Sequence, residues 1–359
     1  MKISILIPNL RLGGAETVFL NLAKEFDRLG YSVEFVLLQE KGELLTLLPD
    51  SVSVYNLNLN RIRSLLFPLK NYINQQEPDC LIIAMWPLTV LGVLANLMAR
   101  AKTKVIVTDH NTYSNTPATQ GYFLKKLLKK SINLLYPLAY ARVSVSNGVA
   151  KDLSEIGNLK SGSISVIHNP ISLNETNVGT DVWSAFTGRR ILAVGSFKPQ
   201  KDYINLIKAF SLVVKKIHAK LIIVGEGTQR ANMESLISEL GLEEHIELPG
   251  ATLNPYPWYN GCDLFVLSSN HEGFGNVIVE ALACGKPVVS TDCPSGPSEI
   301  LENGKYGELV AVGDSKALSE TIILTLAKEH DSVLLKKRAE IFSPTKIAKQ
   351  YVELVFVDT

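Results

Sequence analysis

The sequence has few cysteines, almost no net charge and no uninterrupted apolar segment of membrane-spanning length. Its four cysteines, Cys80, Cys262, Cys284 and Cys293, lack the paired spacing of metal ligands and lie mostly in apolar contexts. We therefore expect buried, reduced thiols in a cytosolic redox environment, and no metal site. A net charge of +1 and 46% hydrophobic residues in 359 positions argue against disorder and are typical of a two-domain soluble enzyme.

The longest uncharged segment, Leu81 to Ala99, has the length of a membrane span but not its uniformity. It is interrupted by Pro87, Thr89, Gly92 and Asn96. We expect a buried strand up to Met85 and then a helix, because a spanning segment would break a regular alternation of strands and helices. The apolar run from Ile3 to Pro8 is too short for a signal peptide, so we expect it to be structural. A cytoplasmic protein is predicted.

Short apolar runs that alternate with helical periodicity organise the chain into two series. The first series of predicted strands comprises Ile3–Ile7, Val33–Leu38, Cys80–Ala84, Lys104–Thr108 and Arg142–Ser146. The second comprises Ile191–Val194, Lys220–Val224, Ile246–Leu248, Asp263–Leu267 and Pro287–Ser290. The predicted class is α/β, with a first doubly wound domain over 1–172, a linker over 173–188 and a second domain over 189–343. We expect the final helix, within 344–359, to return to the first domain.

Two glutamates separated by a glycine-containing turn mark the most informative segment, His271 to Glu280. Glu272 follows the predicted strand that ends at Leu267, and the next helix begins near Asn276. Ligands of open α/β sheets bind outside the carboxyl ends of strands, and helix N-termini favour phosphate there. The amides of Gly275, Asn276 and Val277 are therefore candidate diphosphate donors. Glu280 lies one turn further along, so its carboxylate can accept hydrogen bonds from two ribose hydroxyls.

Taken singly, Glu272 reads as a loop charge and Glu280 as a solvated helix charge. Together with the glycine turn they favour nucleotide-sugar chemistry. At this point the sequence resembles the retaining glycosyltransferases of family 4, which carry a Glu-x7-Glu motif here and have the GT-B fold, two Rossmann-like domains facing a cleft. The resemblance continues through Ala281 to Thr291, and Pro294 to Ile300 resembles the family segment that encloses the donor.

The resemblance also assigns residues in the first domain. Gly13 and Gly14 follow the first strand, where two glycines allow close backbone approach, and the family places its donor-phosphate and acceptor loop there. A tight turn explains two glycines almost as well. His110 follows another strand at the position where family members often contact the donor sugar with a histidine, although a histidine that caps backbone groups is the alternative interpretation.

Gly195 to Asp202 resembles the family segment in which an arginine and a lysine clamp the diphosphate. Lys201 matches the lysine, but Ser196 stands where the family has arginine. Half of the cationic clamp is missing unless Lys198 or a helix N-terminus supplies the charge. The candidate catalytic residues are His110, Lys201 and Glu272. The candidate donor-binding residues are Gly13, Gly14, Ser196, Lys198, Phe274, Gly275, Asn276, Val277 and Glu280.

The resemblance implies transfer of a hexose or N-acetylhexosamine from a nucleoside diphosphate sugar, expected to be UDP-linked, to a hydroxyl acceptor in bacterial glycan assembly. It implies retention at the anomeric carbon and no metal or other cofactor. Two alternatives stay open. One is a GT-B sugar-nucleotide epimerase. The other is a nucleotide-sugar-binding module that has lost turnover, and Ser196 is the feature that supports it.

Charge is distributed unevenly along the chain. The first 180 residues carry 18 basic and 13 acidic side chains, and paired lysines alternate with apolar residues over 122–136. This pattern is typical of a helix that lies on an anionic membrane, and equally of a surface helix packed through Leu124, Leu127, Leu128 and Leu135. Nucleic acid explains it less well, because no recognisable binding module accompanies it. The expected partners are a nucleotide sugar, a glycan or lipid-linked acceptor and this membrane surface.

Overall fold

The computed structural model describes residues 1–115, 121–160, 162–172, 182–183 and 186–356. The chain divides into two compact units, Met1–Ile171 with Pro344–Thr359, and Ser172–Ser343. Most of the expected linker, 173–188, lies outside the described residues.

The first unit is built on a seven-stranded parallel sheet. Its strands are β1 Lys2–Ile7, β2 Ser32–Leu37, β3 Ser53–Asn56, β4 Cys80–Ala84, β5 Lys104–Asp109, β6 Ala141–Ser144 and β7 Ser165–Val166. They are arranged in the order β3-β2-β1-β4-β5-β6-β7. The central strands read as continuous apolar runs because helices cover both faces of a parallel sheet.

The helices of this unit form two cores, one on each face of the sheet. They are α1 Gly14–Arg28, α2 Leu66–Gln76, α3 Leu88–Ala99, α4 Tyr122–Leu135, α5 Asn147–Gly157 and the last helix, Pro344–Phe356. One core joins α1 and the last helix, through residues such as Phe26 and Tyr351. The other core joins α2, α3 and α4, through residues such as Tyr72 and Ile132.

The second unit repeats this design with a six-stranded parallel sheet in the order β10-β9-β8-β11-β12-β13. Its strands are β8 Arg189–Val194, β9 Ala219–Val224, β10 Ile246–Gly250, β11 Leu264–Leu267, β12 Val288–Thr291 and β13 Glu308–Val310. Its helices are α6 Tyr203–Val213, α7 Arg230–Glu239, α8 Tyr256–Gly261, α9 Asn276–Ala283, α10 Pro297–Ile300, α11 Ser315–Leu326 and α12 Ser332–Ala339.

The strand order reverses direction once in each sheet, between β1 and β4 and between β8 and β11. Such a switch point leaves a crevice at the carboxyl ends of the strands, where open α/β sheets bind their ligands. In the second unit, the chain segments that follow β8 and β11 begin at this crevice. These segments carry Lys201 and Glu272.

Three strands were not expected from the sequence. Ser53–Asn56, Ser165–Val166 and Glu308–Val310 are short, and none of them is fully buried. The predicted strand Arg142–Ser146 also ends two residues early, because Ser146 caps α5 by accepting a hydrogen bond from the Val149 amide. Strands of this kind depend on pairing with a neighbour more than on their own residue pattern.

Candidate functional site

The segments that follow β8 and β11 are tied together by backbone and side-chain hydrogen bonds. The Asn270 amide donates to the Gln200 carbonyl at 2.8 Å, and the Gln200 side chain donates to the His271 carbonyl at 2.7 Å. The Ser268 hydroxyl donates to the Lys201 carbonyl at 2.8 Å. These bonds fix the backbones of the two segments relative to each other.

Lys201 and Glu272 meet at this edge. The Lys201 Nζ lies 2.7 Å from Oε1 of Glu272, and the Ser269 hydroxyl donates to the same oxygen at 2.6 Å. The two charged side chains are only 14% and 8% exposed. A carboxylate so deeply buried is stabilised only when it is paired and hydrogen-bonded, and here it is both.

Close packing of backbone against backbone holds the turn before α9. Gly296 has a φ of +98°, and a Cβ there would lie 1.8 Å from the carbonyl oxygen of buried Phe274. The Glu272 amide donates to the Pro294 carbonyl at 3.2 Å. The segment from Pro294 therefore supports the loop that carries Glu272, and only glycine fits at 296.

Helix α9 begins at Asn276, and Gly275 caps it with a φ of +102°. Glu280 lies one turn further along, and its Oε2 accepts a hydrogen bond of 2.8 Å from the hydroxyl of Tyr259. Because side chains of a helix lean towards its N-terminus, this carboxylate is directed towards the start of α9. The structure therefore places Phe274, Gly275, Asn276, Val277 and Glu280 around one helix start.

Arg230, the arginine next to the segment that carries Ser196, is already paired with carboxylates. Arg230 stacks over the ring of Phe197 at 5.3 Å, but its guanidinium is paired with Glu226 at 2.5 Å and with Glu234 at 3.0 Å. Lys198 is exposed next to the turn Pro199–Lys201. Arg230 is thus neutralised locally, and Lys198 and Lys201 are the lysines of the 196–202 segment.

Sequence reasoning missed two side chains that hold these glutamates. Ser269 orients Glu272, and its place just after an apolar strand was a signal that could have been used. Tyr259 orients Glu280 from α8, and a tyrosine 21 residues away along the chain gives no such signal.

In the first unit, Gly13 and Gly14 lie where β1 gives way to α1. Gly13 is the N-cap of α1 in an extended conformation, and a Cβ there would lie 2.3 Å from the Glu16 carboxylate. The helix N-terminus thus starts at the carboxyl edge of the sheet, as expected for a phosphate loop. Phe19, one turn further along α1, contacts the His110 ring edge to face at 5.0 Å.

Asp109 ends β5 and His110 follows it, and burial favours the neutral form of both side chains. The Nε2 atom of His110 lies 3.2 Å from the Thr108 hydroxyl, and burial lowers the pKa of His110 to about 4. Asp109 accepts hydrogen bonds from the hydroxyls of Tyr113 and Tyr136, yet burial still raises its pKa to about 7. His110 is therefore an uncharged imidazole at neutral pH, which can donate to or accept from a sugar hydroxyl.

Helix α4 is less covered than the interpretation as a packed surface helix requires. Leu128 and Ile132 are buried, but Leu124 and Leu127 are exposed, and Leu135 is only half-buried. Of the four leucines that the packed-helix alternative places inside, Leu124 and Leu127 are therefore not covered, and the inner face is made by Leu128 and Ile132 with half-buried Leu135 beside them. Tyr122 and Phe123, at 84% and 75% exposure, join an apolar surface beside four exposed lysines.

The four cysteines are free and buried, which confirms the prediction of reduced thiols, and burial raises the pKa of each thiol. Across the described part of the chain, no three His, Cys, Asp or Glu side chains cluster as metal ligands do. None of the helices described is long and apolar enough to cross a membrane.

Comparison with known proteins agrees with this geometry. Residues 12–175 match the model of Glycosyltransferase Family 4, and residues 185–342 match that of Glycosyl transferases group 1. The chain is 33% identical over 264 residues to an N-acetylgalactosaminyltransferase of Campylobacter jejuni that acts, by its name, on a diphospho-undecaprenol-linked sugar, with 70% of each chain covered. The chain belongs to glycosyltransferase family 4.

A second relative and a solved structure are also similar to this family 4 glycosyltransferase. The amylovoran biosynthesis glycosyltransferase AmsD of Erwinia amylovora is 28% identical over 311 residues, with 85% of each chain covered. The crystal structure of Anabaena HepE, described in complex with UDP and glucose, superposes over 100% of both chains with a TM-score of 0.82 at 23% identity. The expectation of a GT-B fold is thereby confirmed.

Proposed function

We propose that this glycosyltransferase moves a hexose or N-acetylhexosamine from a UDP-sugar to a hydroxyl acceptor in bacterial glycan assembly, with retention at the anomeric carbon. Residues 189–343 hold the donor, and residues 1–172 take the acceptor. The observation that carries the proposal is the Lys201–Glu272 pair at the switch point of the second sheet, since α9 begins four residues after Glu272 and Glu280 lies one turn along that helix. UDP and glucose in the HepE structure, and the lipid-linked substrate named for the Campylobacter relative, support the choice of substrates.

In this mechanism the leaving diphosphate is the group that needs stabilisation. Lys201 exchanges its contact with Glu272 for the diphosphate, and the first amides of α9 add partial positive charge. Glu272, released from Lys201 but still hydrogen-bonded to Ser269, accepts hydrogen bonds from the transferred sugar and orients it. As the bond from the anomeric carbon to the diphosphate breaks, the acceptor hydroxyl attacks from the same face and gives its proton to the departing diphosphate, so neither carboxylate acts as a nucleophile and no metal is required. His110 contacts the sugar as a neutral imidazole.

A panel of UDP- and GDP-sugars, incubated with the protein and a bacterial lipid extract, tests this proposal. We expect release of UDP, an α-linked product from an α-linked donor, and no loss of activity in EDTA. Formation of an isomeric UDP-sugar without acceptor would indicate an epimerase. Binding of a UDP-sugar without turnover would leave a binding module. Glu272→Gln serves as the inactive control, because it keeps the size of the side chain and removes its charge.

We also propose that α4 places the enzyme on the anionic cytoplasmic face of the cell membrane. Its exposed apolar residues lie among Lys125, Lys126, Lys129 and Lys130, and each basic residue near an anionic surface contributes about 1 kcal/mol. Screening by salt should weaken this contact.

Co-sedimentation with anionic and with neutral vesicles measures the binding of the protein to a membrane surface through α4. The variant with all four lysines changed to Gln should lose binding to anionic vesicles and keep its affinity for UDP. A matched variant, with exposed Lys215, Lys216, Lys336 and Lys337 changed to Gln, has the same net charge and should pellet like the wild type. Equal pelleting of the two variants would exclude α4 as the docking surface.

A further inference from the structure

The carboxylate assigned to the ribose, that of Glu280, is held by a hydrogen bond from another side chain. The hydroxyl of Tyr259 donates to Oε2 of Glu280 at 2.8 Å, while its distance to the Val277 carbonyl is 3.3 Å. A phenol has one proton, so the shorter contact to the charged acceptor dominates. This bond restrains the position of Oε2 and thereby narrows the range of carboxylate orientations.

Tyr259 is closely packed. It is fully buried, and its ring lies between those of Tyr256 at 6.2 Å and Phe265 of β11 at 5.5 Å. Helix α8, which carries Tyr259, is anchored by a hydrogen bond from the Trp183 indole to the Trp258 carbonyl. Burial and the nearby Glu280 raise the pKa of Tyr259 well above its ordinary value, so the hydroxyl stays a donor at every working pH.

We propose that Tyr259 is a positioning residue for nucleotide recognition: by holding Glu280 in one orientation, it sets the preference of the site for a ribose over a 2′-deoxyribose nucleotide. The inference rests on the proposed function, in which Glu280 receives the two ribose hydroxyls. An ionised carboxylate has about four acceptor sites, so the bond to Tyr259 leaves capacity for both hydroxyls. A pair of vicinal hydroxyls is bound well only when the carboxylate faces them, and the bond to Tyr259 raises the fraction of time that Glu280 spends in that orientation.

The experiment compares the affinities of UDP and 2′-deoxy-UDP for four forms of the protein by calorimetry. They are the wild type, Tyr259→Phe, Glu280→Ala and the double variant. In Tyr259→Phe we expect UDP affinity to fall about tenfold and 2′-deoxy-UDP affinity to fall much less, so that discrimination narrows. In the Glu280→Ala background the change at 259 should have no further effect on discrimination, because the carboxylate through which it acts is gone.

Tyr256→Phe is the matched control. Tyr256 is buried on the same helix and also loses one hydrogen bond, to the Ser172 carbonyl at 2.8 Å, so a purely structural effect should appear in both variants. If Tyr259→Phe keeps the wild-type discrimination, or Tyr256→Phe loses as much, the positioning role is wrong. If the wild type binds neither nucleotide, the proposed function itself fails, and that outcome is visible before any variant is made.

Discussion

The two sheets of this glycosyltransferase end in edges of opposite electrostatic character. At the edge of the second unit, Lys201 and Glu272 are a buried ion pair, and Glu280 is held by a phenol. At the edge of the first unit, burial moves the pKa values of His110 and Asp109 to about 4 and about 7, so that both are largely neutral near pH 6. The same sheet topology thus presents charge in one unit and suppresses it in the other.

This difference matches the different chemical groups that the two units would bind. A diphosphate requires fixed positive charge and oriented amides, whereas a sugar and its acceptor are uncharged and are read by neutral hydrogen-bonding groups. Buried neutral groups also avoid the cost of placing an unpaired charge in a dry site. Variants that remove charge from the second unit should therefore impair nucleotide recognition and turnover, while variants in the first unit should alter the response of the fold to pH.

The largest effect is expected from Glu280→Ala. Two charge-assisted hydrogen bonds to the ribose are lost, at roughly 1.5–3 kcal/mol each, so UDP affinity should fall by more than about 100-fold. Titration calorimetry with UDP measures it, and Glu320→Ala, an exposed glutamate on α11, is the control. Unchanged UDP affinity would remove Glu280 from the site.

The next effect is expected from Lys201→Ala. Turnover should fall by about 100-fold or more, because the lysine stabilises charge that develops as the diphosphate leaves, and donor affinity should fall less. Steady-state kinetics with separate binding measurements distinguish the two, with Lys208→Ala on the exposed face of α6 as control. Equal losses in turnover and in binding would mean that Lys201 acts in the ground state alone.

Sequence reasoning predicted the turn at Glu272 well because the turn is local. A strand, a glycine and a helix start follow each other within about a dozen residues, and apolar runs mark the central strands. The same reasoning did not find the role of Tyr259, and it left open whether Leu124 and Leu127 pack against the protein or stay exposed. Periodicity identifies an amphipathic helix, but the neighbours that cover its sides come from distant parts of the chain.

A smaller effect is expected in the first unit, where the free energy of unfolding should depend on pH. For His110 the folded pKa is depressed from about 6.5 to about 4, so its contribution to stability is lost as pH falls through that window. For Asp109 the folded pKa is raised to about 7, so its contribution is lost as pH rises from about 4 to about 7. At about 1.4 kcal/mol per pKa unit, the full shift is worth about 3 kcal/mol for His110 and about 4 kcal/mol for Asp109, and between pH 4 and 6.5 the two dependences on pH offset each other.

Single variants should separate these opposed contributions. His110→Gln leaves Asp109 alone, so the stability of the first unit should decline with rising pH. Asp109→Asn leaves His110 alone, so stability should increase with rising pH. Hydrogen exchange of the β5 amides between pH 4.5 and 7.5, corrected for intrinsic rates, reports on this unit. Parallel pH profiles for the wild type and both variants would show that neither group is neutralised by burial.

The smallest effect is expected from adding charge to the second unit with Ser196→Arg. A guanidinium beside Lys201 supplies the half of the clamp that this chain lacks, and one added charge-assisted bond, less the entropy of ordering the side chain, should raise UDP affinity about three- to tenfold. Glu226 is the competing partner nearby, but Arg230 already occupies its carboxylate at 2.5 and 3.0 Å. Ser235→Arg, at an exposed position on α7, adds the same charge away from the site and should leave affinity unchanged. The gain at 196 should shrink with added salt, and an equal response of the two variants would mean that the site draws no benefit from a local second cation.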